Sequence, residues 1–272
     1  MSVDYTRVIV GTDGSDTAQC AVYAAGAIAK ALGVPVVVAT SWYREHVDGY
    51  SEITGQHGGA RGSSWATDTV VDAAATLRVA GHEDVRTATP EGGPADALLR
   101  MAEEHPGTLI VVGTVGLDNT AERIMGNIPH QLTHHAQSDV LLVSRRDCGP
   151  DVTWGSVAMA TDGSKTASMA VAHGMAMAQA LDATSVLLTV APSLDKGDRA
   201  LDASADLVGV TDERRVVVSK DVAAALTNAA SDYDLLVIGN KGMSGPSRLL
   251  GSVSNSVTHD LPTDLLLVNT TR

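Results

Sequence analysis

Residues 8–41, VIVGTDGSDTAQCAVYAAGAIAKALGVPVVVATS, contain a short apolar run, a TDGS turn, a long alanine-rich stretch and a second apolar run. The same order recurs at residues 157–193, VAMATDGSKTASMAVAHGMAMAQALDATSVLLTVAPS. Short valine-rich runs predict buried strands, and the alanine-rich stretch between them predicts a helix. Because the block is duplicated, we expect two similar halves, called here copy one and copy two.

Apolar and amphipathic segments alternate along the rest of copy one. Ser15 or Asp16 can cap a first helix that ends at Leu32 before Gly33, and VPVVVATS predicts the second strand. Later segments predict a helix at 68–80, a strand at 85–88, a helix at 95–104, a strand at 109–112, a helix after Asn127 and a final strand, DVLLV.

Strands that alternate with helices imply right-handed crossovers and a parallel sheet. The predicted fold class is therefore α/β, with two tandem doubly wound domains, each a roughly five-stranded parallel sheet flanked by helices. We expect these domains to span residues 1–148 and 152–272. Copy one is the longer because it carries YREHVDGYSEITGQHGGARGSSW at residues 43–65, a polar, glycine-containing segment that predicts a surface loop or lid.

The net charge of the chain argues against two classes of partner. The chain has 272 residues, no Phe, and a formal net charge of −13. Nucleic acids and anionic membranes need a basic surface, so neither is an expected partner.

The sequence also predicts location and redox state. No apolar stretch approaches the ~20 residues of a spanning helix, and the N-terminus has no basic-then-apolar leader, which predicts a cytoplasmic protein. Cys20 and Cys148 are far apart and match no metal or redox spacing. They are predicted to be reduced and structural.

Two further runs share a glycine pattern: LIVVGTVGLDNTAERIMGN from residue 109 and LLVIGNKGMSGPSRLLGS from residue 235. In an open parallel sheet, ligands bind outside the carboxyl ends of the strands. A glycine at a strand end lets the backbone approach a ligand, and a glycine at a helix start presents amides and the positive helix dipole to a phosphate. Together with the TDGS turns, the two runs predict phosphate binding.

This combination resembles the tandem universal stress proteins, which carry two copies of an adenine-nucleotide-binding α/β fold, and the resemblance covers almost the whole chain. The family motif is GxxG, nine residues, and then Gly followed by Ser or Thr. Copy one keeps the nine-residue spacing but has Asn127 in the hydroxyl position, whereas copy two keeps Gly251 and Ser252 after eight residues. The resemblance implies a stress-response or signalling protein that binds ATP, or ADP or AMP, with Mg²⁺ accompanying the phosphates.

The site residues follow from the motif and the resemblance. Asp13 and Asp162 match the family's acidic residue after the first strand, which resembles a ribose or metal contact; a turn residue bonded to its own backbone is the alternative. Thr40 and Val190 are candidates to frame adenine. The predicted site in copy two comprises Thr161, Asp162, Val190, Gly239, Lys241, Gly242, Arg248, Gly251, Ser252 and Val253. In copy one it comprises Thr12, Asp13, Thr40, Gly113, Gly116, Gly126, Asn127 and Ile128.

Loop charge distinguishes the two copies. Copy one has Asp118 and Glu122 in its glycine loop, with Arg123 to offset them, whereas copy two offers Lys241 and Arg248. A polyanion is repelled by nearby carboxylates and attracted by cations. The charges therefore predict about one nucleotide per chain, held in copy two.

Other functions have less support. His130, His134 and His135 have no acidic ligand beside them at metal spacing, so no metal site is predicted. No residue is placed to orient water, so catalysis is not expected, and slow ATP hydrolysis is the alternative. A nucleotide-free scaffold that binds a protein or a small metabolite is the competing function.

The resemblance also predicts how the copies meet. Closing strands such as DVLLVSR and DLLLVNT pair across dimers in the family, so they are expected to join the two copies as a pseudo-dimer within the chain. A plain sheet-edge role is the alternative. A further homodimer is left open, and the sequence names no protein partner.

Overall fold

The computed structural model describes residues 5–43, 62–114, 127–145, 148–209, 211–240, 254, 257–258 and 262–271. Its strands are β1 (Arg7–Gly11), β2 (Val36–Ala39), β3 (Val85–Ala88), β4 (Thr108–Gly113), β5 (Asp139–Val143), β6 (Ser156–Ala160), β7 (Thr184–Ala191), β8 (Glu213–Val218), β9 (Leu235–Gly239) and β10 (Asp264–Val268). Its helices are α1 (Asp16–Leu32), α2 (Ser63–Val79), α3 (Pro94–Glu103), α4 (Asn127–His135), α5 (Lys165–Leu181), α6 (Leu194–Val208) and α7 (Val222–Ala230).

The strands form one ten-stranded sheet in the order β3-β2-β1-β4-β5-β10-β9-β6-β7-β8. Neighbouring strands run parallel within each copy, whereas β5 and β10 pair antiparallel, with Leu141 opposite Leu266. The β5–β10 pair is called here the seam. Counted outward from the seam, the strands of both copies follow the same order, as a pseudo-twofold axis between the copies requires. The predicted α/β class and the pairing of the closing strands are confirmed.

Helices cover both faces of the sheet. Along β1, the side chains of Val8 and Val10 join the core cluster that contains α1, α2 and α5, whereas Ile9 joins the cluster that contains α3 and α7. This alternation follows from the two-residue period of a strand. Buried parallel strands lined by Val, Leu and Ile on both faces are typical of doubly wound folds.

Helix α1 begins and ends as its sequence predicts, and α5 begins in the same way. The side chain of Ser15 accepts a hydrogen bond from the amide of Ala18 and caps α1, and Ser164 does the same for α5 with the amide of Ala167. Gly33 ends α1 in the left-handed conformation, at φ 67°. Both first helices therefore start at the carboxyl edge of the sheet.

The expected boundary of the second helix is wrong. The helix was predicted to begin at residue 68, but α2 begins at Ser63, where the amide of Ala66 donates to the carbonyl of Gly62. Polar residues and glycine there suggested a loop, yet serines are tolerated in the exposed first turn of a helix. Residues 63–65 of the predicted loop or lid are thus helical, and residues 44–61 lie outside the described part of the chain.

The prediction of reduced cysteines is also wrong. Cys20, in α1, forms a disulfide with Cys148, in the segment between β5 and β6, across a sequence separation of 128. Sequence spacing cannot reveal this pairing because the fold brings α1 beside the end of copy one. The disulfide therefore ties the first helix of copy one to the connection between the copies.

Two buried aspartates flank the seam at equivalent positions. Asp139, which begins β5, accepts hydrogen bonds from the hydroxyl of Tyr5 at 2.6 Å and the amide of Asn269 at 2.9 Å. Asp264, which begins β10, accepts from the indole of Trp154 at 2.9 Å and the amide of Ser144 at 2.9 Å. Each copy thus fixes the closing strand of the other.

Candidate functional site

A cavity of about 260 Å³ lies in copy one at the carboxyl ends of β1, β2 and β4. Gly11, Ala39 and Gly113, the last residues of these strands, all line it. Of the residues predicted for copy one, the structure brings five together in its wall: Thr12, Asp13, Thr40, Gly113 and Ile128. The cavity thus occupies the crevice where a doubly wound sheet binds its ligands.

Four helices begin at this cavity. Its wall includes residues from the first turn of each helix: Thr17 and Ala18 of α1, Trp65 of α2, Pro94 of α3, and Ile128 and Pro129 of α4. Every parallel strand enters its next helix at the carboxyl edge, so the helix N-termini converge there. Their positive dipole ends favour an anionic group in the cavity.

Hydrogen bonds at the TDGS turn fix the predicted residues Thr12, Asp13 and Thr40. The hydroxyl of Thr40 donates to the carbonyl of Thr12 at 2.7 Å, and the hydroxyl of Thr12 accepts from the amide of Gly14 at 3.2 Å. The carboxylate of Asp13 accepts from the amide of Ser15 at 3.0 Å, while the residue stays exposed. The turn-stabilising role considered for Asp13 is therefore present, and its second carboxylate oxygen can still accept a bond from a ligand.

Gly113 is needed where β4 ends because α1 passes very close. A Cβ atom built on Gly113 would lie 2.7 Å from the carbonyl oxygen of Thr17. Real Cβ atoms essentially never approach a backbone oxygen so closely. The strand-end glycine therefore allows the first turn of α1 to pack against β4 beside the cavity.

The corresponding edge of copy two is packed differently. The hydroxyls of Thr161 and Ser204 are 2.6 Å apart, so α6 bonds directly to the TDGS turn. A Cβ atom on Gly163 would lie 3.0 Å from the Cα of Ala200, whereas one on Gly14 would meet only the side chain of Thr69, at 3.5 Å. Thus α6 lies closer to its turn than α2 does in copy one.

Some predicted residues of copy two are also at the expected places. Gly239 ends β9, and Val190 lies one residue before the end of β7, where its side chain is partly buried against the core. The carboxylate of Asp162 accepts from the amide of Ser164 at 2.9 Å, as Asp13 does in copy one.

Many predicted residues lie outside the described part of the chain: Gly116, Asp118, Glu122, Arg123, Gly126, Lys241, Gly242, Arg248, Gly251, Ser252 and Val253. Asn127 begins α4, but its side chain is not among those described. The glycine loops, and the charge comparison that favours copy two, therefore stay predictions.

The described cavity wall contains one charged side chain, Asp13, and no lysine or arginine. Among the described residues, no group of three or more His, Cys, Asp or Glu could hold a metal ion. His130 and His134 face each other on α4, with ring centroids 4.4 Å apart. Anionic groups in this cavity would thus depend on helix dipoles, backbone amides or an accompanying cation.

Sequence reasoning missed the apolar part of the wall. Trp65, from α2, and Pro90, which follows β3, line the cavity together with Ala97 and Leu98 of α3. Pro94 could have been found from its position before an amphipathic helix, where proline commonly starts a helix. No sequence pattern indicated Trp65 as a cavity residue, because it lies at the end of the segment that was predicted to be a loop.

The sheet order and the edge cavity define the class as a doubly wound α/β protein built from two fused, similar halves. The model of the universal stress protein family matches residues 4–144 and 196–269. The chain therefore belongs to the universal stress protein family, as its resemblance implied.

Individual relatives are similar to this chain over one copy or over both. Universal stress protein Rv1636 of Mycobacterium tuberculosis is 33% identical over 141 residues, which cover 51% of this chain and 96% of that protein. The crystal structure of a universal stress protein from Archaeoglobus fulgidus has a TM-score of 0.71 at 17% identity and covers 98% of this chain and 99% of that one, which shows the shared two-copy fold. A universal stress protein crystallised in complex with cAMP is 33% identical, with a TM-score of 0.42, and covers 52% of this chain and 97% of that one.

Among the described residues, no helix combines the length and apolar character that crossing a membrane requires. Cytoplasmic location and the lack of nucleic-acid partners stay predictions from composition.

Proposed function

We propose that this chain is a stress-response or signalling protein that binds an adenine nucleotide, ATP or its products ADP and AMP, in the cavity of copy one. The observation that carries the proposal is the cavity itself, which gathers Thr12, Asp13, Thr40, Gly113 and Ile128 at the carboxyl edge of the sheet. Its volume of about 260 Å³ is close to the lower end of small-molecule sites.

The charge of the cavity wall favours a cation that accompanies the phosphates. Asp13 would repel a polyphosphate, and no described lysine or arginine lines the cavity to offset it. Asp13 would be the residue that holds a Mg²⁺ ion arriving with the phosphates, and the charge of the ion would offset this repulsion, since Mg²⁺ prefers carboxylate and phosphate oxygens. Chelation of Mg²⁺ should therefore weaken ATP binding in this chain.

Copy two is the second candidate site because of its charges. Lys241 and Arg248 favour a phosphate group there by simple attraction. The contact of α6 with its TDGS turn, through Thr161 and Ser204, argues for less room at that edge.

The test has two parts. Purified protein is denatured with acid and the supernatant is chromatographed for ATP, ADP and AMP, and stripped protein is then titrated with ATP by calorimetry, with Mg²⁺ and with EDTA. We expect retained adenine nucleotide or a saturable ATP isotherm that needs Mg²⁺. Neither retained nucleotide nor an isotherm would favour the nucleotide-free scaffold.

A further inference from the structure

Trp65 is the one aromatic residue among those that line the described cavity. Aromatic residues make up 3% of the chain, which contains three Trp and no Phe. Aromatic rings are therefore scarce in this protein, and one of them lies in the wall of the cavity.

The other two tryptophans do not line the cavity. Trp154 is buried, and its indole donates to Asp264 at the seam between the copies. The indole of Trp42 donates to the carbonyl of Thr89 at 3.0 Å, and its backbone pairs with the segment after β3. Trp65 lies in the first turn of α2 and is partly exposed, while its helix buries the neighbouring Ala66 and Val70.

The cavity has one end with an aromatic ring and one end without. Gly113, Ile128 and Pro129 form one end, where β4 stops and α4 begins. Trp65 and Pro90 lie toward the other end, because α2 packs on β2 and β3, and Pro90 follows β3. Since β1 separates β2 from β4 in the sheet, the two ends lie on opposite sides of the TDGS turn.

The indole favours one orientation of a nucleotide. Helix N-termini, which favour phosphates, lie at both ends, at the starts of α2 and α4, and do not orient the ligand by themselves. The flat, uncharged base is favoured at the end that offers the indole, which leaves the phosphates to the start of α4. The base and the phosphates would thus contact opposite ends of the cavity.

We propose that Trp65 stacks on the base of the bound nucleotide and makes the cavity of copy one selective for ligands that carry an aromatic base. This inference rests on the proposed function and adds the residue that recognises the base. In copy two, the third residue of α6 is Lys196, so the equivalent helix start offers no ring.

The experiment compares ATP with a ligand that has phosphates but no base. Equilibrium dialysis with Mg²⁺ measures the affinity for ATP and for inorganic tripolyphosphate in the wild type, Trp65→Ala, Trp65→Phe and the control Trp154→Phe, whose tryptophan lies at the seam and not in the cavity wall. Stacking of a base on an aromatic side chain is worth about 1–3 kcal/mol, so W65A should lose roughly 5- to 150-fold in ATP affinity. Its tripolyphosphate affinity should stay unchanged, and W65F and W154F should bind ATP within a few-fold of the wild type.

Each outcome separates the two proposals. ATP binding by W65A at wild-type affinity overturns the stacking role and leaves the proposed function standing. Equal losses for ATP and tripolyphosphate also overturn it, because they indicate a general structural effect. A wild-type chain that binds no ATP overturns the proposed function, and this inference with it.

Discussion

The two buried aspartates at the seam have different basic partners. Asp264 accepts a hydrogen bond at 2.8 Å from Arg145, whose guanidinium also lies over the ring of Trp154. Asp139 accepts one at 2.6 Å from the Nδ1 of His173 on α5. Burial alone would raise the pKa of Asp139, but the hydrogen bond and charge of His173, with Tyr5, outweigh burial and lower this pKa.

The lowered pKa of Asp139 predicts a stability that depends on pH. A carboxyl whose pKa is lower in the folded state stabilises the protein above its unfolded pKa, and this stabilisation is lost as the pH falls through the folded pKa. Asp139→Asn should therefore destabilise most near neutral pH. The difference from the wild type should shrink in acid, by at most about 1.4 kcal/mol per pH unit.

Urea unfolding between pH 7 and pH 3 measures this difference. Asp151→Asn, at an exposed position, is the control and should follow the wild type throughout. A constant gap between D139N and the wild type over the whole range would argue against an ionised Asp139 at the seam.

Gly113 and Gly239 end equivalent strands but differ in clearance. A Cβ atom on Gly113 would lie 2.7 Å from the carbonyl oxygen of Thr17, whereas one on Gly239 would lie 3.7 Å from that of Thr166. Gly113→Ala should therefore lower the free energy of unfolding by about 1–3 kcal/mol, as overpacking does. Gly239→Ala, whose nearest contact is the side chain of Thr270, should cost less than about 1 kcal/mol. Denaturant unfolding of both variants checks the difference, and equal losses would count against it.

At the scale of elements, the disulfide fixes α1 to the connection between the copies. Cys20 and Cys148 enclose a long loop, and closure of such a loop stabilises a fold by about 2–4 kcal/mol, mainly through the unfolded chain. Reduction, or the double change Cys20→Ser and Cys148→Ser, should lower the stability by that amount.

Thiol titration in denaturant tests the disulfide directly. The chain contains two cysteines, so unreduced protein should show no free thiol, and reduced protein should show both. The doubly substituted variant is the control, since a reductant should not change its stability. Two free thiols in unreduced protein would restore the prediction of reduced cysteines.

Most elements could be predicted from local sequence, and the exceptions have physical reasons. The cap at Ser15 and the end at Gly33 are local signals, so α1 was predicted closely. The start of α2 was missed because the exposed residues of a first turn resemble those of a loop. The Cys20–Cys148 pair depends on tertiary contact, which spacing does not encode.

At the scale of the whole molecule, duplication determines the architecture. Each copy supplies five strands in the same spatial order, and antiparallel pairing of β5 with β10 fuses them into one sheet. The repeat of the TDGS block predicted this organisation, while the exact domain limits at residues 148 and 152 stay predictions. The site was predicted in part: motif residues such as Thr12 and Asp13 were found, but the apolar wall from α2 and α3 was not.

The central claim is that a nucleotide occupies copy one with its base beside Trp65, and photoaffinity labelling tests it most directly. 8-Azido-ATP carries its reactive group on the base, so irradiation followed by peptide mapping identifies the residues next to the base. We expect label between residues 62 and 94, from α2 or the segment after β3, and we expect excess ATP to prevent it. Label confined to residues 156–271, or no label that ATP displaces, would contradict the claim.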